Sequence, residues 1–286
     1  MNAKLLCFRV INHTLQLCSV SCELGLDVIN SKGYIVRPTK HTARGFIFVL
    51  NANKFVGRDI DSLSVLLGVI NDIKEELKIT SWNLDRLDIA IDTIASFDEL
   101  YKTNLMFAQL FCLYTNNNND VVINSLSNNK KRAIVINHRK LELYIYDKLF
   151  ESNGKHPYSR CEFRFKLLDI TDISDVVKRL EAILTALPRY IEALNKAKID
   201  FLVSEWQIEA DTTNSGIKSF SEFVRRYDNH IFNREILQGL YIRVMKGDFK
   251  RWLYKFKKNN DLEFIGNKDM LTYCKAMKQA VKEFAK

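Results

Sequence analysis

Tyrosines, carboxylates and cations recur at two-residue spacing in three short stretches of this chain. In KLELYIYDK, Lys140–Lys148, the apolar Leu141, Leu143 and Ile145 alternate with Glu142, Tyr144, Tyr146 and Lys148. In RCEFRFKL, Arg160–Leu167, Cys161, Phe163, Phe165 and Leu167 alternate with Arg160, Glu162, Arg164 and Lys166. In LDRLDIAIDT, Leu84–Thr93, Leu87, Ile89 and Ile91 alternate with Arg86, Asp88, Ala90 and Asp92. Period two sends each set to its own face of a strand. Charges on the outer face of one strand are an ordinary solvated surface. Three such strands, side by side at about 4.8 Å, converge their acids, tyrosines and cations on one patch. That collection suits a metal-assisted attack on a phosphodiester. A phenol with a pKa of about 10 needs help as a nucleophile at neutral pH. A divalent cation polarises the phosphate, and hard carboxylate oxygens suit Mg2+ or Mn2+.

The elements that must position this patch follow from the rest of the pattern. Lys4–Ile11 with Thr14–Leu24, and Gly33–Arg37 with Gly45–Leu50, read as two pairs of strands. The basic loop Pro38–Arg44, with Lys40, His41 and Arg44, separates the second pair. Ile60–Leu77 carries apolar residues at the three-and-four spacing of an amphipathic helix, with Asp59 or Asp61 as its cap. Ser96 and Glu99 form a capping-box pattern ahead of a helix from Phe97 to Tyr114. After the polar Asn116–Asn119, Val121–Leu126 and Ala133–Ile136 read as strands leading into the Tyr146 strand, and Leu149–Pro157 as its return loop. This order predicts an α+β fold: a largely antiparallel sheet with helices on one face and an open polar catalytic face, followed by a helical C-terminal region. Ile173–Leu187 and Arg189–Lys198 are expected to be helical, kinked or split at Pro188. Phe201–Glu209 reads as one more strand. Thr212–Gly216 is the expected linker between a catalytic region, 1–210, and a basic helical region, 217–286, for DNA binding or oligomerisation. Four further helices are expected over Phe220–Ile231, Arg234–Lys246, Phe249–Lys257 and Lys268–Ala285.

Composition sets bounds. The 286 residues, 47% hydrophobic and 27% charged, are those of a soluble globular protein. No apolar run approaches a membrane span, and the N-terminus is broken by polar residues too early for a signal peptide. A cytoplasmic protein without a membrane partner is expected. The six scattered cysteines fit reduced, buried roles better than disulfides or zinc. A net charge of +9 points to an anionic partner, nucleic acid above all. Arg243–Lys286 holds twelve Lys/Arg against five Asp/Glu. Within it, Lys250, Arg251, Lys255, Lys257 and Lys258 interleave with Phe249, Trp252, Tyr254 and Phe256. The cations are candidate phosphate contacts, whereas Phe249, Trp252, Leu253 and Phe256 have the spacing of a buried helix stripe. HxH, GxxxxGK[ST], GxSxG and HExxH motifs do not occur, which removes the usual ATPase, hydrolase and zinc-protease readings.

The blocks RLDIAID (Arg86–Asp92), YIYDK (Tyr144–Lys148) and RCEFRFK (Arg160–Lys166), in this order, resemble three blocks of the Rep-trans group of rolling-circle replication initiators. The resemblance covers about Trp82–Leu168. Tyr144 stands where many members carry arginine, and Asn137-His138 replaces a Gly-Ser turn. The resemblance implies Tyr146 as the nicking nucleophile and a divalent metal held by Glu162 with Asp88 or Asp92. Asp88, mid-strand, is favoured, because the two aspartates lie about 13 Å apart on an extended strand; Glu142 is a reserve ligand. Lys148, about 6.8 Å from Tyr146 on the same face, would lower the tyrosine pKa or steady the phosphate, and Arg160, Arg164 and Lys166 would meet DNA. The implied activity is nicking of one DNA strand at an origin, leaving a 5′-phosphotyrosine and a free 3′-OH for a polymerase. The implied partner is origin DNA, single-stranded or cruciform at the nick, with room for a host helicase and a homodimer. A relaxase of an integrative or conjugative element shares this chemistry, and a non-catalytic nucleic-acid-binding platform is the competitor from another class.

The pattern also predicts a register. Residues facing the ligand must pair with one another, so paired numbers across the Tyr146 hairpin should sum to an even value near 308. That sets Tyr146 opposite Glu162 and Lys148 opposite Arg160.

Overall fold

The computed structural model describes residues 8–22, 29–31, 34–38, 46–51, 57, 59–76, 78–116, 122–126, 131–156, 158–170, 172–211, 219–258, 260 and 264–286. The expected linker Thr212–Gly216 and the loop residues Lys40, His41 and Arg44 lie outside them, as do Asn117, Asn118 and Asn119. The fold is α+β, and its elements group into two compact units.

The sheet unit is built on nine strands: β1 (Phe8–Cys22), β2 (Ile29–Ser31), β3 (Tyr34–Pro38), β4 (Phe46–Leu50), β5 (Ile79–Thr93), β6 (Val122–Leu126), β7 (Lys131–Ile136), β8 (Leu141–Asp147) and β9 (Ser159–Ile170). Their order across the sheet is β2-β3-β4-β1-β5-β9-β8-β7-β6, and every strand pairing in it is antiparallel. The three polar-faced stretches are therefore adjacent, as β5, β9 and β8. Their apolar sets supply the core: Leu87, Ile89, Ile91, Leu143, Ile145, Cys161, Phe163 and Phe165 are all buried. The expected break between two opening strands is instead a bulge. β1 runs unbroken along β5, and its register slips between Asn12 and Thr14. An extra residue in a ladder bends a strand without ending it.

Helix α1 (Leu63–Glu76) turns Leu63, Leu66, Val69, Ile70 and Ile73 inward and packs on β5. Its cap is Ser62, whose Oγ accepts from the Val65 N–H at 3.3 Å. Asp59 and Asp61, the expected caps, bond the Arg9 guanidinium at 3.1 and 3.3 Å. The unit also holds α3 (Lys148–Glu151), α4 (Ile173–Ala186) and the last turns of α9 (Asn267–Phe284).

The second unit is helical, with α2 (Tyr101–Tyr114), a 3-10 turn at Leu187–Tyr190, α5 (Ile191–Asp211), α6 (Phe220–Arg226), α7 (Arg234–Val244), α8 (Phe249–Lys258) and the first half of α9. Pro188 splits the long helical run as expected, by converting one turn to 3-10 form. Helix α2 begins at Tyr101 rather than Phe97, without a side-chain cap. The turn before it buries Phe97 and Leu100. The expected strand Phe201–Glu209 is the second half of α5. Its aromatic and branched residues read locally as strand, but Ile191, Leu194, Asn195 and Leu202 are buried at helical spacing. Packing decides over propensity there. Gly239 of α7 lets α5 approach: a Cβ at that position would lie 2.4 Å from Ile199 Cδ1. A buried amide network ties the unit together. Asn233 Nδ2 donates to Asn195 and Asn267 Oδ1, each at 2.9 Å, and its own Oδ1 caps α7 through the Ile236 N–H.

Phe163 is fully buried and stands opposite both Ile89 and Leu143. Phe163→Ala should cost about 3–5 kcal/mol, seen as a lower denaturation midpoint with an unchanged slope in urea.

Candidate active site on the β5–β9–β8 face

The face opposite the apolar core carries Arg86, Asp88 and Asp92 from β5, Arg160, Glu162, Arg164 and Lys166 from β9, and Glu142, Tyr144 and Tyr146 from β8. Between β8 and β9, Tyr146 stands opposite Arg160, Tyr144 opposite Glu162 and Glu142 opposite Arg164. The paired numbers sum to 306, so the parity agrees with expectation and the register is one pleat away from it. The reason is visible at the hairpin end. β8 stops at Asp147, whose carboxylate accepts from the Phe150 N–H at 3.2 Å and caps the short helix α3. Lys148 therefore opens a helix instead of prolonging the strand. The expected register would have set Lys148 against Arg160, two like charges facing each other.

The two faces differ in chemistry but both are largely buried. Asp88 and Glu162 are 0% exposed, Arg160 is 3% exposed, and Asp92 and Glu142 are each 8% exposed. Charges at that depth need partners, and the sheet provides them. Arg160 grips Asp92 with two parallel bonds, Nε to Oδ1 at 2.6 Å and Nη2 to Oδ2 at 2.8 Å. Arg86 grips Asp88 the same way, at 2.8 and 2.6 Å. Arg164 donates to Glu162 Oε1 at 2.7 Å and lies 3.9 Å from Asp88 Oδ2, so one guanidinium bridges two acids. Lys166 pairs with Glu142. Arg164 also stacks on the Tyr144 ring, 3.6 Å from its centroid.

Both candidate tyrosines lie on this polar face. The Tyr146 hydroxyl donates to Glu162 Oε2 at 3.1 Å. The Tyr144 hydroxyl bonds Asn137 Oδ1 at 3.3 Å and Glu142 Oε2 at 3.4 Å. Burial, and then the Glu162 charge, push the Tyr146 phenol far above the ordinary tyrosine range, with Arg160 opposing them. Tyr144 is also raised, by burial first. Burial raises Asp88 above the usual carboxylate range despite its bond to Arg86. Arg160 is held above its ordinary value: burial works to lower it, and the Asp92 pair more than offsets that.

Of the expected site residues, Tyr146, Glu162, Arg160, Arg164 and Asp88 are linked through these contacts, and Asp92 joins through Arg160. Lys148 sits over the Tyr146 ring with Nζ 5.9 Å from its centroid, paired with Glu151. Lys250, Arg251, Lys255, Lys257 and Lys258 stand on α8, in the helical unit. Two neighbours were given no role from the sequence. Arg86 carried a usable signal, its position two residues before Asp88 on the same face. Tyr158 carried none: it precedes β9 in a loop and enters only because its ring lies 5.8 Å from the Arg160 guanidinium.

Among the described residues, no three of His, Cys, Asp and Glu gather as a metal-holding group. The Glu162 charge is near enough to raise Asp88's cost of ionisation, and as two hard oxygen donors the pair suit a divalent cation. Arg164 lies between them, so a cation and this guanidinium are alternative partners. Both oxygens of Asp92 are taken up by Arg160.

No family model matches the chain, and no curated protein matches it. Among solved structures it is similar to a rolling circle replication initiator protein from Geobacillus stearothermophilus, with 9% identity and a TM-score of 0.35, covering 60% of this chain and 78% of that one. A likeness of that size carries no weight for activity.

The Arg160–Asp92 pair is buried on both sides, 4% and 11% exposed at the side chains. Arg160→Met should destabilise the chain by about 3–5 kcal/mol, because it strands a buried carboxylate. The double variant Arg160→Met/Asp92→Leu should recover most of that loss. Urea denaturation of the cycle checks both, and a double variant no better than the single one would contradict the pairing.

Proposed function

We propose that the chain is a DNA-nicking enzyme of the replication-initiator kind, with Tyr146 as its nucleophile. The observation that supports this reading most is the setting of one hydroxyl. Tyr146 offers its proton to a fully buried carboxylate, Glu162, while the guanidinium of Arg160 stands directly across the ladder. A phenol so placed has an acceptor for its proton and a cation for the charge left behind, the two needs of an oxygen nucleophile.

The step balances as follows. Tyr146 Oη attacks the phosphorus of one phosphodiester, forming a Tyr–O–P bond as the P–O3′ bond breaks. The phenolic proton passes toward Glu162, and the leaving 3′ oxygen takes a proton from solvent. The 5′ phosphate remains on the tyrosine, and the 3′-OH is free to prime synthesis. Asp88 and Glu162 would hold Mg2+ or Mn2+, which when bound supplies charge for the phosphate oxygens. Arg160, held by Asp92, faces Tyr146 across the ladder; Arg164 holds Glu162 until a cation takes its place, and Tyr144 is a stacking partner of Arg164 rather than a nucleophile. DNA is the substrate in this reading, as it is for a relaxase.

The hydroxyl geometry separates the two tyrosines. Tyr146→Phe removes one oxygen and keeps the ring, so the chain should fold, while the covalent protein–DNA adduct on supercoiled origin-bearing DNA with Mn2+ should vanish. Tyr144→Phe should slow nicking no more than about tenfold, the scale for losing its long hydrogen bonds to Asn137 and Glu142. Adducts that persist in the Tyr146 variant and disappear in the Tyr144 variant would move the nucleophile by one pleat. If no adduct forms with any metal, the sheet face is a binding platform.

A further inference from the structure

The ten residues of α8 divide sharply. Phe249, Leu253 and Phe256 are buried, and Trp252 stacks on Phe256 at 4.9 Å and packs against Phe220 and Tyr241. These aromatics are the core of the helical unit, as their spacing predicted. Tyr254 is different: it is 74% exposed. On a helix the surface neighbours of a residue lie three and four positions away on either side. For Tyr254 those four positions are Lys250, Arg251, Lys257 and Lys258, and Lys255 adjoins them. An open aromatic ring is thus framed by cations, all of them exposed. None of the five makes an ion pair among the described residues.

Helix stability does not account for this face. Lys255, Lys257 and Lys258 sit in the last turn, where cations complement the helix dipole. Lys250 and Arg251 sit in the first turn, where the dipole disfavours cations; Asp248 caps that turn through their backbone N–H groups, at 2.9 and 3.2 Å, but makes no ion pair with either side chain among the described residues. Cations three and four apart on a helix repel one another. A polyanion would offset this charge. Five cations over the roughly 12 Å from Lys250 to Lys258 suit consecutive phosphates better than a single anion. The exposed ring selects among polyanions: duplex DNA hides the faces of its bases, whereas an unpaired strand offers them for stacking.

We propose that the Tyr254 face of α8 binds single-stranded nucleic acid, with Lys250, Arg251, Lys255, Lys257 and Lys258 on phosphates and the Tyr254 ring stacked on one unpaired base. This surface goes beyond the nicking site and does not depend on Tyr146 chemistry. The test is equilibrium binding of the full chain to fluorescent oligo-dT and to a hairpin duplex, in EDTA, across a range of salt. Replacing the five cations by Gln should lower the log–log salt slope on oligo-dT by about 0.7 for each phosphate deprived of its cation. Tyr254→Ala should weaken oligo-dT binding about tenfold while leaving the slope and the duplex affinity unchanged. Tyr254→Phe should bind like the parent. All six positions are exposed, so thermal melting should not change; the pair Lys250→Gln/Arg251→Gln serves as a milder variant with the same sign of effect. An unchanged slope in the Gln variants would overturn the proposal and make the face a solvated one. A poly-glutamate peptide competing equally, with no effect of Tyr254→Ala, would overturn it in favour of an acidic protein partner. Because no cleavage is measured, failure here is distinct from failure of the Tyr146 reading.

Discussion

A buried layer of ion pairs across β5, β9 and β8 is the constraint to which the rest of the sheet unit answers. Moving a carboxylate or guanidinium out of water costs several kcal/mol even after relaxation, and only close, well-bonded partners offset it. Here the partners come from the register. Asp92 faces Arg160 and Asp88 faces Arg164 across one ladder, and Glu142 faces Arg164 across the next. The register itself is set on the opposite face, where Leu87, Ile89, Ile91, Leu143, Ile145 and Phe163 must all point inward. A one-residue slip would bury the charges in the apolar core and expose the core to water. Hydrophobic burial therefore chooses the pairs, and the pairs make the buried charges tolerable.

The compensation is incomplete, and the incompleteness has chemical consequences. Asp88 is held by two bonds from Arg86, yet burial still raises it above the usual carboxylate range. Tyr146 shares the same dry surroundings and keeps its proton firmly. Its hydrogen bond goes to Glu162, and Arg160 faces it across the ladder. Arginine suits this layer better than lysine, since its planar fork can bond two oxygens at once. The four acids and four cations of the face leave it without net charge, which sets it apart from the rest of a strongly basic chain.

Positive charge is handled in the opposite way in the helical unit. There, among the described residues, the fully buried polar groups are neutral: Asn195 and Asn233 bond each other and the half-buried Asn267, and Asn233 caps a helix. The cations of α8 stand outside around an exposed tyrosine, without an ion pair among the described residues.

In the three polar-faced stretches and in α8, the period, and with it the face each residue occupies, was determined by the sequence alone. Alternation in Leu84–Thr93, Lys140–Lys148 and Arg160–Leu167 marked which side chains share the polar face, and the stripe of Phe249, Leu253 and Phe256 marked the core of α8. These are properties of a backbone segment by itself, because side-chain direction repeats every two or 3.6 residues whatever surrounds it. Tertiary structure decided what depends on neighbours. It set Tyr146 opposite Arg160 rather than Glu162, drew Lys148 into a helix capped by Asp147, joined β1 through a bulge, and made Phe201–Glu209 helical. It also set Asp92 against Arg160 on the neighbouring strand, a pairing that no spacing encodes. Register, pairing and burial arise from contacts between segments far apart in the chain, and their energies come from water excluded only when those segments meet.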